Sequence, residues 1–250
     1  MPSAKQHYDE LLADVYSWML GGFDSGIERN LAFFRKRGIA PTGSATAFDL
    51  GAGCGFQSIP LARLGFAVTA IDFDSKLLAE LAAGKGPLPI RMIEDDLLSF
   101  DRYADGPIEL IVCMTDTLLH LESEGDVRRL FGKAYRALEK DGRFMLTFRD
   151  LTKELTDLDR FIPVRSDDTT IFTCFLEYEP RTVKVHDLVY RREAAGWRLS
   201  KSCYRKLRLS SDWVASELAA AGFEHVDVDV TQGLVTIEAA KRDKTLWNPL

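Results

Sequence analysis

The sequence predicts an α/β protein built on a largely parallel sheet, with a helical N-terminal extension and an antiparallel β insertion after the fifth strand. From about residue 46 to 150, short apolar runs alternate with amphipathic helical stretches. Such alternation implies right-handed crossovers and a sheet covered on both faces. Between about residues 161 and 208 the apolar period drops to two, the pattern of an antiparallel meander. A glycine-rich turn, "GAGCG" at 51–55, joins the first apolar run to the helix after it.

Taken in order, "HYDELLADVYSWMLGG" reads as helical, and after a glycine break so does "SGIERNLAFFRKRG". "APTGSA" is a linker rich in structure breakers. "TAFDL" is the first strand, "FQSIPLARLG" a helix stopped by Gly65, and "FAVTAID" the second strand. "SKLLAELAAG" is a helix with a Ser cap and a glycine stop. "LPIRMIED" and "IELIVCM" are strands three and four, "ESEGDVRRLFGKAYRALEKDG" is a helix ending at Asp-Gly, and "RFMLTF" is strand five. In the insertion, "TIFTCFLEYE", "TVKVHDLVYRRE" and "WRLSKSCYRKLRLS" alternate apolar with polar residues. A helix, "SDWVASELAAAG" with Ser or Asp as cap, precedes two strands around a "TQG" turn. The chain divides into an extension (1–40), a core (45–150), the insertion (161–208) and a closing helix and hairpin (209–240), all of one domain.

A length of 250 residues suits one such domain, and a formal net charge of −6 argues against non-specific nucleic-acid binding. No uninterrupted apolar run approaches the ~20 residues of a membrane helix, and the N-terminus lacks a signal-peptide pattern. Cys54, Cys113, Cys174 and Cys203 are isolated, with no metal-ligand spacing, so reduced thiols, a cytoplasmic location and no metal site are expected.

The glycine turn presents backbone N–H groups to a ligand. It is not a P-loop, because no Gly-Lys-Ser/Thr follows. It departs from the dinucleotide fingerprint as well, since Phe56 occupies the place of the third glycine. Asp72 stands twenty-one positions after Gly51, at the end of strand two, where a carboxylate can accept from both ribose hydroxyls. Asp49, just before the glycines, suits a ligand carrying positive charge. "DLGAGCG" followed by "AIDFD", with "EDDLLSF" and "IELIVCMTDTLLHL" beyond, resembles the class I S-adenosylmethionine-dependent methyltransferases, specifically small-molecule N- and O-methyltransferases. The closing "AAAGFEHVDVDV…LVTIEAAK" matches that family's last helix and hairpin, which implies a Rossmann-like seven-stranded sheet with an antiparallel last strand.

The resemblance implies roles residue by residue. Gly51, Ala52 and Gly53 pass under the cofactor's ribose and methionine, and Asp49 lies near its ammonium. Asp72 holds the ribose, and Phe73 lies against adenine. Asp96, or Asp95 one residue earlier, accepts from the adenine amino group while Leu97 donates its N–H. Met114 and Thr115 flank the methionine. Cys54 is a small neutral contact. S-adenosylhomocysteine is the implied product.

Methyl transfer from a sulfonium needs alignment, exclusion of water and a base if the nucleophile arrives protonated. His120 has the ordinary pKa of such a base, its alternative being a structural histidine. Asp116 either orients a substrate amine or caps the turn from Thr117. Arg149 pairs with a substrate carboxylate or with a neighbouring acid. Tyr8, Tyr16 and Trp18 share a helical face as an aromatic lid or as core. The expected partner is a small-molecule substrate, without nucleic acid or membrane, in a monomer or homodimer. The competing readings are an RNA or protein methyltransferase docking through the insertion, whose basic bias could meet an acidic partner, and a nucleoside-binding module without turnover; a nicotinamide oxidoreductase ranks behind both.

Overall fold

The structure, a computed structural model, describes residues 3–242. It opens with an irregularly wound helical segment: α1 (Ala4–His7), a π turn over Tyr8–Leu12, a 3-10 turn over Ala13–Val15 and α2 (Tyr16–Met19). Ser3 and Gln6 close a capping box at its start, which satisfies backbone donors at both positions. After Gly21 and Gly22 the chain forms α3 (Phe23–Lys36).

The core then alternates β1 (Thr46–Leu50), α4 (Ser58–Arg63), β2 (Ala67–Asp72), α5 (Ser75–Gly84), β3 (Ile90–Glu94), β4 (Ile108–Cys113), α6 (Glu124–Ala137) and β5 (Leu138–Arg149). The insertion supplies β6 (Phe161–Ser166), β7 (Thr170–Tyr178), β8 (Thr182–Glu193) and β9 (Gly196–Leu207). Last come α7 (Ser211–Ala221), β10 (His225–Thr231) and β11 (Leu234–Ala240). The main sheet has the order β10-β11-β5-β4-β1-β2-β3, with β1 to β5 parallel. Gln232 and Gly233 both carry positive φ, a two-residue hairpin turn that sets β11 antiparallel to β10; β11 also pairs antiparallel with β5. The second sheet, β6-β7-β8-β9, is antiparallel throughout and forms a cap.

Alternating residues of the main sheet build two cores. Phe48 and Leu50 face α6 and α7 through Leu130, Phe131, Val214 and Leu218, while Ala47 faces α3, α4 and α5 through Phe34, Leu61 and Leu81. Phe56, which occupies the dinucleotide fingerprint's third-glycine position, is buried against Tyr16 and Phe23, with ring centroids 6.1 Å away in each case. Gly26 lies so close that a Cβ there would run into the Phe56 ring. Phe56 thus fastens the N-terminal extension to the loop. No helix among the described residues is long and apolar enough to cross a membrane.

Four local expectations change. Asp74, not Ser75, caps α5, its carboxylate accepting from the Leu77 N–H at 2.9 Å. Ser210 caps α7, one residue ahead of the expected start. α6 stops at Ala137 because Leu138 turns extended and pairs with Ile108, so "LEKDG" belongs to β5. β6 is an additional strand whose Pro163 sits beside a bulge, a sequence feature that disguises an edge strand.

Phe56→Ala should cost about 3–5 kcal/mol by leaving a cavity that its neighbours cannot close. Urea unfolding measures it; a loss below about 1 kcal/mol would show that the extension is held without this ring.

Candidate functional site

The carboxyl ends of β1, β2 and β4 open onto a cavity of about 560 Å³, the place where an open α/β sheet collects its ligands. Gly51 and Gly53 form part of its floor with φ of +74° and +52°, a left-handed backbone that costs other residues roughly 1–2 kcal/mol each. That backbone aims the Gly53 N–H at Asp72 Oδ2, 2.7 Å away, while the Asp74 N–H donates to Oδ1 at 2.8 Å. Burial nevertheless pushes the Asp72 carboxyl up to about 6.

Asp49 sits on β1 facing α4, where the strand pattern calls for an apolar side chain. Ser58 Oγ donates to its Oδ2 at 2.6 Å, and its buried Oδ1 has no hydrogen-bond partner among the described residues. Burial raises this carboxyl to about 7. A carboxylate kept at such a cost on a strand end is a mark of a functional position. Burial likewise pushes the Cys54 thiol up to about 12, so it remains a neutral thiol.

Beyond β3, Asp95 accepts from Tyr103 Oη at 2.6 Å and from the Asp96 N–H at 2.8 Å, which engages both its oxygens. Asp96 uses Oδ1 to hold the Leu98 N–H at 2.8 Å. Beyond β4 the backbone is strained: Thr115 and Asp116 have φ of +57° and +67°. Thr147 supports both, its Oγ1 accepting from the Thr115 N–H at 2.8 Å and its carbonyl from the Asp116 N–H at 3.1 Å.

Asp116 makes no cap for the turn Thr117–His120. Its Oδ1 accepts from the Arg149 N–H at 2.8 Å, and its Oδ2 from Arg149 Nη1 at 2.6 Å and Lys206 Nζ at 2.8 Å. Against the pull of burial, Lys206 and Arg149 hold this carboxyl well below the ordinary range. His120 stacks on Tyr204 with centroids 5.3 Å apart and meets the edge of Tyr8 at 5.7 Å. Burial, then the Lys206 charge, lowers its pKa to about 3. Tyr8 and Tyr16 are pushed upward by burial, so both phenols keep their protons.

Of the residues singled out from sequence, Gly51, Gly53, Asp72, Phe73, Asp96, Leu97, Tyr16 and His120 line the cavity. Asp95 and Tyr8 line it as well. Asp49, Ala52 and Met114 lie buried behind the wall, and Thr115 is half-buried, its Oγ1 accepting from Gln57 Nε2 at 3.3 Å. Asp116 and Arg149 are committed to each other. Trp18, two residues after Tyr16 in α2 and so about 200° around the helix from it, does not line the cavity; its Nε1 donates to Asp167 on the cap at 2.6 Å. Sequence reasoning missed Lys206 and Thr182, which the cap contributes to the wall. Only the insertion's basic bias hinted at Lys206.

Residues 47–142 match a family of methyltransferase domains. A protein of Geobacillus sp. (strain WCH70) designated a methyltransferase is 23% identical over 227 residues, 88% of this chain and 87% of that protein. The glycine/sarcosine N-methyltransferase of Halorhodospira halochloris is 29% identical over 150 residues, 58% of this chain and 55% of that protein, so the match spans about half its length. Among solved structures, the CcbJ methyltransferase of Streptomyces caelestis superposes with a TM-score of 0.77 at 19% identity, covering 94% of this chain and 98% of that one. CalS10, an amino pentose methyltransferase of Micromonospora echinaspora solved with S-adenosylmethionine bound, gives 0.68 at 17% identity, covering 92% and 96%. At these identities the structural likeness is one of fold.

His120 should stay neutral well below the ordinary histidine range. Because its folded pKa lies beneath the unfolded value, the unfolded chain binds the extra proton between about pH 6.5 and 3, and this group withdraws stability as pH falls through that window. An NMR titration of the imidazole should show no protonation above pH 5; a midpoint near 6.5 would mean an open, solvated ring.

Proposed function

We propose that the chain is a class I S-adenosylmethionine-dependent methyltransferase that methylates a nitrogen or oxygen of a small-molecule acceptor, releasing S-adenosylhomocysteine. The observation that carries this reading is the single cavity shared by the glycine loop, Asp72 and the cap strands. Its volume lies within the ~300–1,000 Å³ of small-molecule sites. The relatives' names, a glycine/sarcosine and an amino pentose methyltransferase among them, weigh in the same direction.

The residues present fit the cofactor. A buried carboxyl oxygen without a partner among the described residues, Asp49 Oδ1, suits the ammonium of a methionine moiety, directly or through a water. Asp72 has spare lone pairs for ribose hydroxyls, with Phe73 beside the adenine. Asp96 is the better adenine partner than Asp95, since one of its oxygens makes no hydrogen bond among the described residues. Tyr8 and Tyr16 close the cavity from the extension side and exclude water. When bound, the cofactor supplies a sulfonium methyl group open to in-line displacement.

The acceptor's place is beside His120 and Tyr8. An imidazole held near pKa 3 is too weak a base for an alkylammonium proton. Its lone pair can instead accept from the acceptor's N–H or O–H and hold the nucleophile in line. His120 therefore acts by alignment, and an amine acceptor reacts as the free base.

S-adenosylmethionine should bind more tightly as pH rises from 5.5 to 8. Asp49 and Asp72 hold protons up to about 7 and 6 in the free protein, while a cationic ligand favours their ionised forms, so binding expels protons and acid opposes it. Calorimetry across that range should also show Asp72→Ala weakening affinity by about 1–3 kcal/mol. Unchanged affinity would remove Asp72 from the ribose site.

His120→Ala should lower turnover on a panel of small amines and alcohols by roughly 10–100-fold while leaving cofactor affinity intact. A fully active variant would leave the histidine purely structural. Transfer to RNA or protein and to no panel member would overturn the small-molecule reading.

A further inference from the structure

Among the described residues, the cap strands contribute no acid to the cavity lining. β8 and β9 contribute Thr182, Arg205, Lys206 and Leu207 to the wall. The lining acids lie elsewhere: Asp72, Asp95 and Asp96 at the ends of β2 and β3, and exposed Glu122 and Arg129-bound Asp126 near the start of α6. Arg205 is bound side-on by Glu179, with bonds of 2.7 and 2.8 Å, and so is occupied.

Lys206 differs. Its side chain is only 12% exposed, and Asp116 Oδ2 at 2.8 Å is its one hydrogen-bond acceptor among the described residues. That same carboxylate also serves Arg149. Because the largely exposed Arg149 draws on the same charge from outside the cavity lining, the Lys206 ammonium on the wall is only partly neutralised. An ammonium carries three donors, and taking it out of water with donors unmet costs free energy that an anion would offset. The position also relates it to the turn: β9 packs against Thr117–His120, and the Tyr204 centroid lies 5.8 Å from the Lys206 ammonium and 5.3 Å from the His120 ring.

We propose that Lys206 seats an anionic group of the acceptor, a carboxylate or a phosphate, while the acceptor's nucleophile faces His120. This rests on the small-molecule reading above and names the substrate class of the same site. The contact is a charge-assisted hydrogen bond, roughly twice as strong as a neutral one. Lys206 then selects acceptors by charge and by the spacing between anion and nucleophile.

The test is a ruler of ω-amino acids with one to five methylenes, their primary amides, and the matching aminoalkyl phosphates, each offered with labelled S-adenosylmethionine. Anionic members should exceed their amides in kcat/KM by about tenfold or more, with one chain length preferred. Lys206→Gln should erase the preference by raising KM at nearly constant kcat, and Lys206→Arg should keep it. S-adenosylhomocysteine affinity verifies that both variants are folded. A preference for phosphates over acids, or the reverse, identifies the anion. Amides that react as well as acids, or a preference that survives in Lys206→Gln, would overturn the assignment. If no member is methylated while the cofactor binds, the small-molecule reading fails. Calorimetric titration of the S-adenosylhomocysteine complex with the same compounds then decides Lys206 independently. Binding of the anionic members to the wild-type chain and not to Lys206→Gln supports it, and equal binding to both overturns it.

Discussion

A single buried carboxylate joins the two sheets of this protein. Asp116 lies just beyond β4 of the core, receives Arg149 from the end of β5, and reaches Lys206 on β9 of the cap. The carboxylate is the member that cannot be spared: losing one cation leaves Asp116 paired with the other, whereas losing Asp116 leaves the Lys206 ammonium largely buried without its acceptor. Thr147, which accepts from the Thr115 and Asp116 N–H groups, holds the left-handed backbone that brings Asp116 to this position. The cap therefore sits at a set height above the sheet, and the cavity between them has defined walls.

Charge along those walls is divided. Around the glycine loop, carboxyls are buried with few partners and hold protons more tightly than usual, which makes that end receptive to a cation. At the cap, burial and, after it, the Lys206 charge keep His120 neutral. The same fold thus presents two different electrostatic surroundings a few side chains apart. It does so because strand ends from separate parts of the sequence meet there.

The core was legible because its signals are local. The first strand and the α5 helix follow from apolar runs bounded by glycines, and Asp72 from a fixed offset to the loop. Where the chain depends on distant partners, the sequence is silent. α6 yields to β5 at Leu138 because Ile108 pairs with it, a contact no periodicity reveals. Arg149 carries nothing in its neighbourhood to say that its partner is Asp116 instead of Asp150. Lys206 lies in a strand whose alternating polar residues look like a solvated face; its role appears only once β9 is laid over the Thr117–His120 turn. The irregular winding of the N-terminal segment hides in the same way, because a π turn has no compositional mark.

The fastening of that segment bears on how the chain reaches this structure. His7 is buried and its Nε2 lies 2.8 Å from Asp187 Oδ2, a partner 180 residues further along the chain, whose other oxygen accepts from Cys174 Sγ at 2.8 Å. Loop closure of that span must be completed before the contact returns any free energy. During synthesis, Leu11 and Leu12 therefore lack their partners Phe172 and Val189 until β7 and β8 have emerged. The glycine loop and the end of β2 can fold early, but the closed cavity is among the last features to form, and a ribosome-bound chain stopped before β8 would carry an open one.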